Sequence, residues 1–102
     1  MRCIDLKVLV RFFTVLREIA GKKEDLLEFP DEDKVTIEMV INELVRRYGD
    51  KFKEYLYDDR TGNVRDFLQF LVNGRSASTL HGLKTTLKDG DILAIIPPVG
   101  GG

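Results

Sequence analysis

The stretch IDLKVLVRFF, Ile4 to Phe13, decides the fold. It is rich in β-branched and aromatic residues and reads as a strand. Side chains alternate across a strand, so Ile4, Leu6, Val8, Val10 and Phe12 share one face. Asp5, Lys7, Leu9, Arg11 and Phe13 share the other. The first face belongs to a core. The second is mixed, with apolar Leu9 and Phe13 set among charges.

A strand with one apolar face needs a layer to cover it, and the sequence supplies a helix. From Thr36 onward, Ile37, Val40, Ile41, Leu44, Val45 and Tyr48 recur at i, i+3, i+4, i+7, i+8 and i+11, one continuous apolar stripe ending at Gly49. Between strand and helix, TVLREIAG predicts a short helix capped by Thr14 and ended by Gly21. EDLLEFP then predicts a strand stopped by Pro30 and the charged DEDK loop.

After Gly49 the pattern is less regular. Phe52, Tyr55 and Leu56 are spaced for one or two further helical turns, and DDRTGN reads as a surface turn. DFLQFLV predicts a strand, followed by Asn73-Gly74, the pair favoured in tight hairpins that need positive φ. The turns LHGL and LKDGD bracket a short segment around Thr85 to Leu87, and DILAIIP is the last strand. The order predicts an α+β domain, one long helix packed on a mixed sheet, with an insert near residues 49–66. The first and last strands are the most apolar and should be central neighbours. The architecture is compatible with a β-grasp.

A single helix covers only one face of such a sheet. Leu9 and Phe13 point to the other, and either parity of the last strand adds apolar residues: Ile92, Ala94 and Ile96, or Leu93 and Ile95. If Phe13 and Ile96 are neighbours, they form an exposed apolar patch of the kind that marks a partner surface. Alternatively, residues 51–63 fold back and cover it. Periodicity leaves both open.

Composition narrows the function classes. The chain has 102 residues, 43% hydrophobic and 32% charged, suited to one soluble domain. Sixteen Lys and Arg against seventeen Asp and Glu give a net charge of −1, with no charged block suited to nucleic acid or a membrane surface. Cys3 is the single cysteine, so neither an internal disulfide nor a cysteine-based metal site is expected. The N-terminal apolar run is broken by Lys7 and Arg11, unlike a signal peptide or membrane span, and a cytoplasmic setting is expected. Cys3 reads as a small strand residue and His81 as a surface turn residue. Arg11, Lys7 and Arg75 read as solvated charges, with pairing to a partner's acids as the alternative. No nucleophile, acid–base pair or phosphate loop suggests an enzyme acting alone.

The chain closes on PPVGGG, Pro97 to Gly102. Two prolines stiffen the exit, Val99 offers a small apolar grip, and Gly100 to Gly102 lack any Cβ, so a narrow channel can admit them. Such an end suits delivery of an α-carboxylate into another protein's active site. The plainer alternative is a frayed end or a vector-derived scar.

VRFFTVLREIAG, VNGR and TLKDGDILAIIPPVGGG, in that order, resemble the MoaD/ThiS sulfur-carrier family through nearly the whole chain. The resemblance implies a ubiquitin-like β-grasp over residues 1–99 and a flexible, extended glycine tail over 100–102. It also implies that a ubiquitin-activating-type adenylyltransferase uses ATP to adenylate the carboxylate of Gly102. A sulfur donor, with a sulfurtransferase as a further partner, then leaves a thiocarboxylate. On that resemblance Gly102 is the reacting residue, and Gly101, Gly100, Val99 and Pro98 are the recognised tail. The resemblance implies no bound cofactor, with ATP and the sulfur donor used through the activating enzyme.

Within the family, RFF…LRE.AG and PPV.GG are most similar to the small subunit of molybdopterin synthase. That likeness implies docking of Phe13, Ile96, Leu9 and Arg11 on the large subunit. Two departures are the long insert and Ser76, where an apolar docking residue is expected. Other readings are a ubiquitin-like modifier joined to lysine amines, a carrier for tRNA thiolation, and a binding module with an inert tail.

Overall fold

The computed structural model describes residues 5–30 and 34–97. Its first strand, β1 (Asp5–Phe12), pairs antiparallel with β2 (Glu24–Pro30) and parallel with the last strand, β7 (Asp91–Ile96). β4 (Gln69–Val72) lies antiparallel to β7, and the short β5 (Arg75–Ser76) follows it, giving the order β2-β1-β7-β4-β5. The parallel pair at the centre makes the sheet mixed, as expected from the two most apolar strands. A small second ladder joins β3 (Val35–Thr36) to β6 (Thr86–Leu87). The architecture is the α+β, ubiquitin-like β-grasp.

The long helix is α2 (Ile37–Tyr48), with the Thr36 side chain accepting from the Met39 N–H at its start. Ile37, Val40, Ile41 and Leu44 are fully buried against Val8, Val10, Phe12, Leu93 and Ile95 in one cluster. Two shorter helices accompany it, α1 (Val15–Ala20) and α3 (Asp50–Leu56). At the end of α2 the Tyr48 hydroxyl donates to Asp25 Oδ2 at 2.6 Å, and Arg47 reaches the same carboxylate at 3.3 Å, tying helix to edge strand. Burial first, and then Asp25, push the Tyr48 hydroxyl pKa well up, so this donor keeps its proton throughout the physiological range.

The insert is part of the core. Phe52 and Leu56 of α3 are fully buried, and Phe52 meets Phe12 edge-on at 5.8 Å and stacks on Tyr48 at 5.4 Å. This segment therefore packs beside α1 and α2 and does not fold back over the opposite face of the sheet. The sequence's apolar Phe52 and Leu56 are accounted for on the helical side.

Three local expectations change. The strand expected from Asp66 begins only at Gln69, because the Leu68 N–H closes a turn onto the Arg65 carbonyl at 3.2 Å. That turn leaves Phe67 49% exposed. The segment expected around Thr85 to Leu87 is β6, reduced to two residues. Thr14 stands at the N-terminus of α1 without a side-chain capping bond. Its backbone, φ 50° and ψ −118°, turns the chain from strand to helix in one step, a conformation costly for a β-branched residue. Replacing Thr14 with Gly should therefore stabilise the fold by about 1 kcal/mol, the strain relieved less the greater chain entropy of glycine. Urea unfolding of T14G checks it, and an unchanged or lower midpoint would refute a strained junction.

The two turn motifs interlock. Asn73 (φ 51°) and Gly74 (φ 87°) form the tight hairpin between β4 and β5. Asn73 Oδ1 accepts from the Ile92 N–H at 2.9 Å, and its amide donates to Asp91 Oδ1 at 2.9 Å. Asp89 Oδ1 accepts from the Lys7 N–H at 2.8 Å, so VNGR and KDGD together fix the starts of β1 and β7. These residues act in turn geometry, at the end of the sheet away from the exit of β7.

Candidate functional site

The face of the sheet opposite the helices carries the candidate site. The register of β7 resolves the parity left open by the sequence: Leu93 and Ile95 are fully buried in the core, and Ile92, Ala94 and Ile96 are half-buried on the outer face. Across that face, Leu26 of β2 stands opposite Leu9, and Leu9 opposite Ile92. The next row runs Glu24, Arg11, Ala94, Leu71 and Ser76. A third pairs Ile96 with Gln69.

Phe12 pairs with Ile95 in the parallel register, so Phe13 and Ile96 follow at the same end of the central pair. Both are half-buried. Leu9 and Phe13 thus lie on one surface, as their alternation along the first strand predicts, and the register of β7 adds Ile96 to it. Arg11 lies among them, exposed, with its Nε 3.7 Å from Glu24 Oε1 and about half of each side chain open to water. A pair so exposed adds little stability and leaves the guanidinium available to another acid.

Sequence reasoning missed two residues of this surface. Leu26 is 48% exposed, and its partnership with Leu9 depends on a register that EDLLEFP alone does not reveal. Leu71 faces Ala94 and Ser76. Ser76 is half-buried here, its hydroxyl 2.9 Å from that of Ser78, so a hydrogen-bonding group stands where an apolar contact was expected.

The chain leaves the sheet from β7, between β1 and β4, through a buried Pro97. The tail residues singled out by sequence, Pro98, Val99, Gly100, Gly101 and Gly102, lie outside the described residues. What the fold supplies is their point of departure: the centre of the sheet, at the Phe13–Ile96 end of the apolar face. A protein that docks on this face therefore meets the root of the tail directly.

The ThiS family model matches residues 10–102, from within β1 to the last glycine. The small archaeal modifier protein 3 of Haloferax volcanii is 36% identical over 93 residues, covering 91% of this chain and 96% of that protein. The solution structure of small archaeal modifier protein 1 from Methanosarcina acetivorans superposes with a TM-score of 0.80 at 30% identity, covering 97% and 99% of the two chains. A Pyrococcus furiosus structure assigned as subunit 1 of a molybdopterin converting factor gives 0.71 at 31% identity, covering 92% and 99%. The strand order, the match running through the terminal glycines and these likenesses converge: the chain belongs to the ThiS family, among ubiquitin-like sulfur carriers and small protein modifiers.

Proposed function

We propose that this protein is a carrier whose C-terminal carboxylate, on Gly102, is activated and converted to a thiocarboxylate for sulfur transfer. The observation that carries this reading is the convergence of the apolar face and the root of the tail at the end of β7. A docked enzyme can hold the face and receive the glycines in one binding event.

The chemistry follows from the carboxylate itself. A carboxylate resists nucleophiles because its two oxygens share a negative charge. Attack of a carboxylate oxygen on the α-phosphate of ATP forms the mixed anhydride and releases pyrophosphate. The acyl oxygens then no longer share the carboxylate's charge, and the acyl carbon has a leaving group, AMP. Sulfide displaces AMP and leaves the thiocarboxylate directly; a persulfide sulfur displaces AMP to give an acyl disulfide, which a second thiol cleaves to the thiocarboxylate and a disulfide. The chain's own part is steric: Gly100 to Gly102 carry no Cβ, so an adenylylating site can close around the backbone. Val99 and Pro98 set the reach. The partners are a ubiquitin-activating-type adenylyltransferase, a sulfurtransferase or other sulfur donor, and a recipient enzyme.

Two recipients are supported by particular likenesses. The match to a small archaeal modifier favours transfer of the activated end to lysine amines, which would give isopeptide conjugates. The match to a molybdopterin converting factor subunit favours a place as the small subunit of molybdopterin synthase, with Phe13, Ile96, Leu9 and Arg11 against the large subunit. Ser76 weighs against that second docking, since its hydroxyl must be desolvated there.

The test is intact mass after incubation with a cognate adenylyltransferase, ATP and a sulfur source. The expected product is the chain with one terminal oxygen replaced by sulfur. With an adenylyltransferase shown to be active on another carrier, absence of both adenylate and sulfur-containing product would overturn the proposal. A ladder of conjugates in cell extracts selects the modifier reading, and co-purification with a molybdopterin synthase large subunit selects the other.

A further inference from the structure

Among the described residues, β2 is a seven-residue edge strand, paired along its length with β1 on one side only. The Phe12 N–H donates to the Lys23 carbonyl at 2.8 Å, which fixes the alternation of the ladder. In that antiparallel register Asp25, Leu27 and Phe29 turn their backbone groups to β1, and Glu24, Leu26 and Glu28 turn theirs outward. The outward amides end at Pro30, which has no N–H to offer. The side chains of Glu24, Leu26 and Glu28 all stand on the outer face and are exposed, Leu26 to 48%.

Such an edge invites strand addition unless its charges forbid the particular partner. A second copy is forbidden in the antiparallel arrangement that sets Leu26 against Leu26. That arrangement places Glu24 opposite Glu28 on both sides, and like charges directly opposed are destabilising. The same two carboxylates favour a cationic strand. Arg11 approaches Glu24 at 3.7 Å and Lys7 stands opposite Glu28, both from the β1 flank, so the outer flank of each carboxylate remains in water.

We propose that the free edge of β2 accepts an extended protein segment carrying a basic, an apolar and a basic residue at alternate positions. The segment adds as a sixth strand. Its backbone bonds to Glu24, Leu26 and Glu28, its apolar residue lies against Leu26, and its two cations lie against the glutamates. This binding needs no activation of the tail and is independent of the carrier reading.

The probe is the capped peptide Thr-Lys-Val-Leu-Val-Lys-Thr, titrated into the isotope-labelled full chain and followed by amide shifts and amide exchange. Shifts centred on residues 24–30, with slowed exchange at Glu24, Leu26 and Glu28, are expected. A peptide with Glu in place of both Lys should bind about tenfold more weakly, from two cross-strand charge pairs reversed in sign. The chain carrying Glu24→Lys and Glu28→Lys should invert that preference. If that variant fails to fold, the wild-type chain with a backbone N-methylated Lys-containing peptide decides: its binding should be lost although its charges are unchanged. Absence of shifts, shifts centred on Ile92 and Ala94, equal affinity for the two charge patterns, or undiminished binding of the methylated peptide would each overturn the proposal.

Discussion

Deleting Gly102 should lower thiocarboxylate formation by at least about 100-fold while leaving the fold and its thermal midpoint unchanged. The truncated chain still ends in a glycine carboxylate, so the loss would measure reach and not chemical competence. One extended residue spans about 3.3–3.6 Å. In a preorganised site a displacement of about 1 Å of a reacting group can already cost about 100-fold. Gly102→Ala separates reach from width, because it restores the length and adds only a Cβ. A rate intermediate between the two would assign the glycines to a narrow channel. The experiment is a time course of intact mass with adenylyltransferase, ATP and sulfur source, and equal rates for full-length and truncated chains would sink the assigned role of the carboxylate. Since residues 5–97 hold the sheet and its helices, circular dichroism should not distinguish the three chains.

The elements legible in the sequence are those whose pattern is decided locally. The alternation of IDLKVLVRFF gives β1 and both of its faces, because parity alone assigns every side chain. The stripe from Ile37 to Tyr48, with Thr36 before it and Gly49 after it, gives α2 with its cap and stop. Asn73-Gly74 gives a hairpin because few other pairs tolerate positive φ at both positions.

What escaped is what register decides. The unbroken run ILAII of β7 carries no parity of its own, and only pairing with Val10 and Phe12 sends Leu93 and Ile95 inward. Leu26 and Leu71 join the outer face for the same reason, each through a neighbour distant in sequence. The Thr14 junction escaped for another: threonine normally signals a cap, and only the closeness of α1 to β1 forces its backbone into an unusual region. Leu9, Arg11 and Phe13 were legible as a surface set because they sit on β1 or immediately after it, whereas Ile96 joins them only through the register of β7.

Phe52→Ala should destabilise the protein by about 3–5 kcal/mol, the range for removing a fully buried aromatic from a core. The ring is held on two sides, edge-on to Phe12 at 5.8 Å and stacked on Tyr48 at 5.4 Å, so its neighbours cannot collapse into the void without giving up contacts of their own. For a domain of this size a loss of that order lowers the melting midpoint by roughly 12 °C or more. It also consumes a large part of the roughly 5–15 kcal/mol by which such domains are stable. If residues 49–66 were an appended loop, the same substitution would cost less than about 1 kcal/mol, as surface changes do. Calorimetry separates these outcomes. The destabilisation should spread through Tyr48, whose hydroxyl holds Asp25 of β2, so amide exchange in β2 should accelerate along with α3. Below its melting midpoint the variant should nevertheless be thiolated at the wild-type rate, because α3 packs on the helical side of the sheet and the apolar face at the root of the tail is untouched. A variant stable but slow in thiolation would instead give the insert a part in recognition by the activating enzyme.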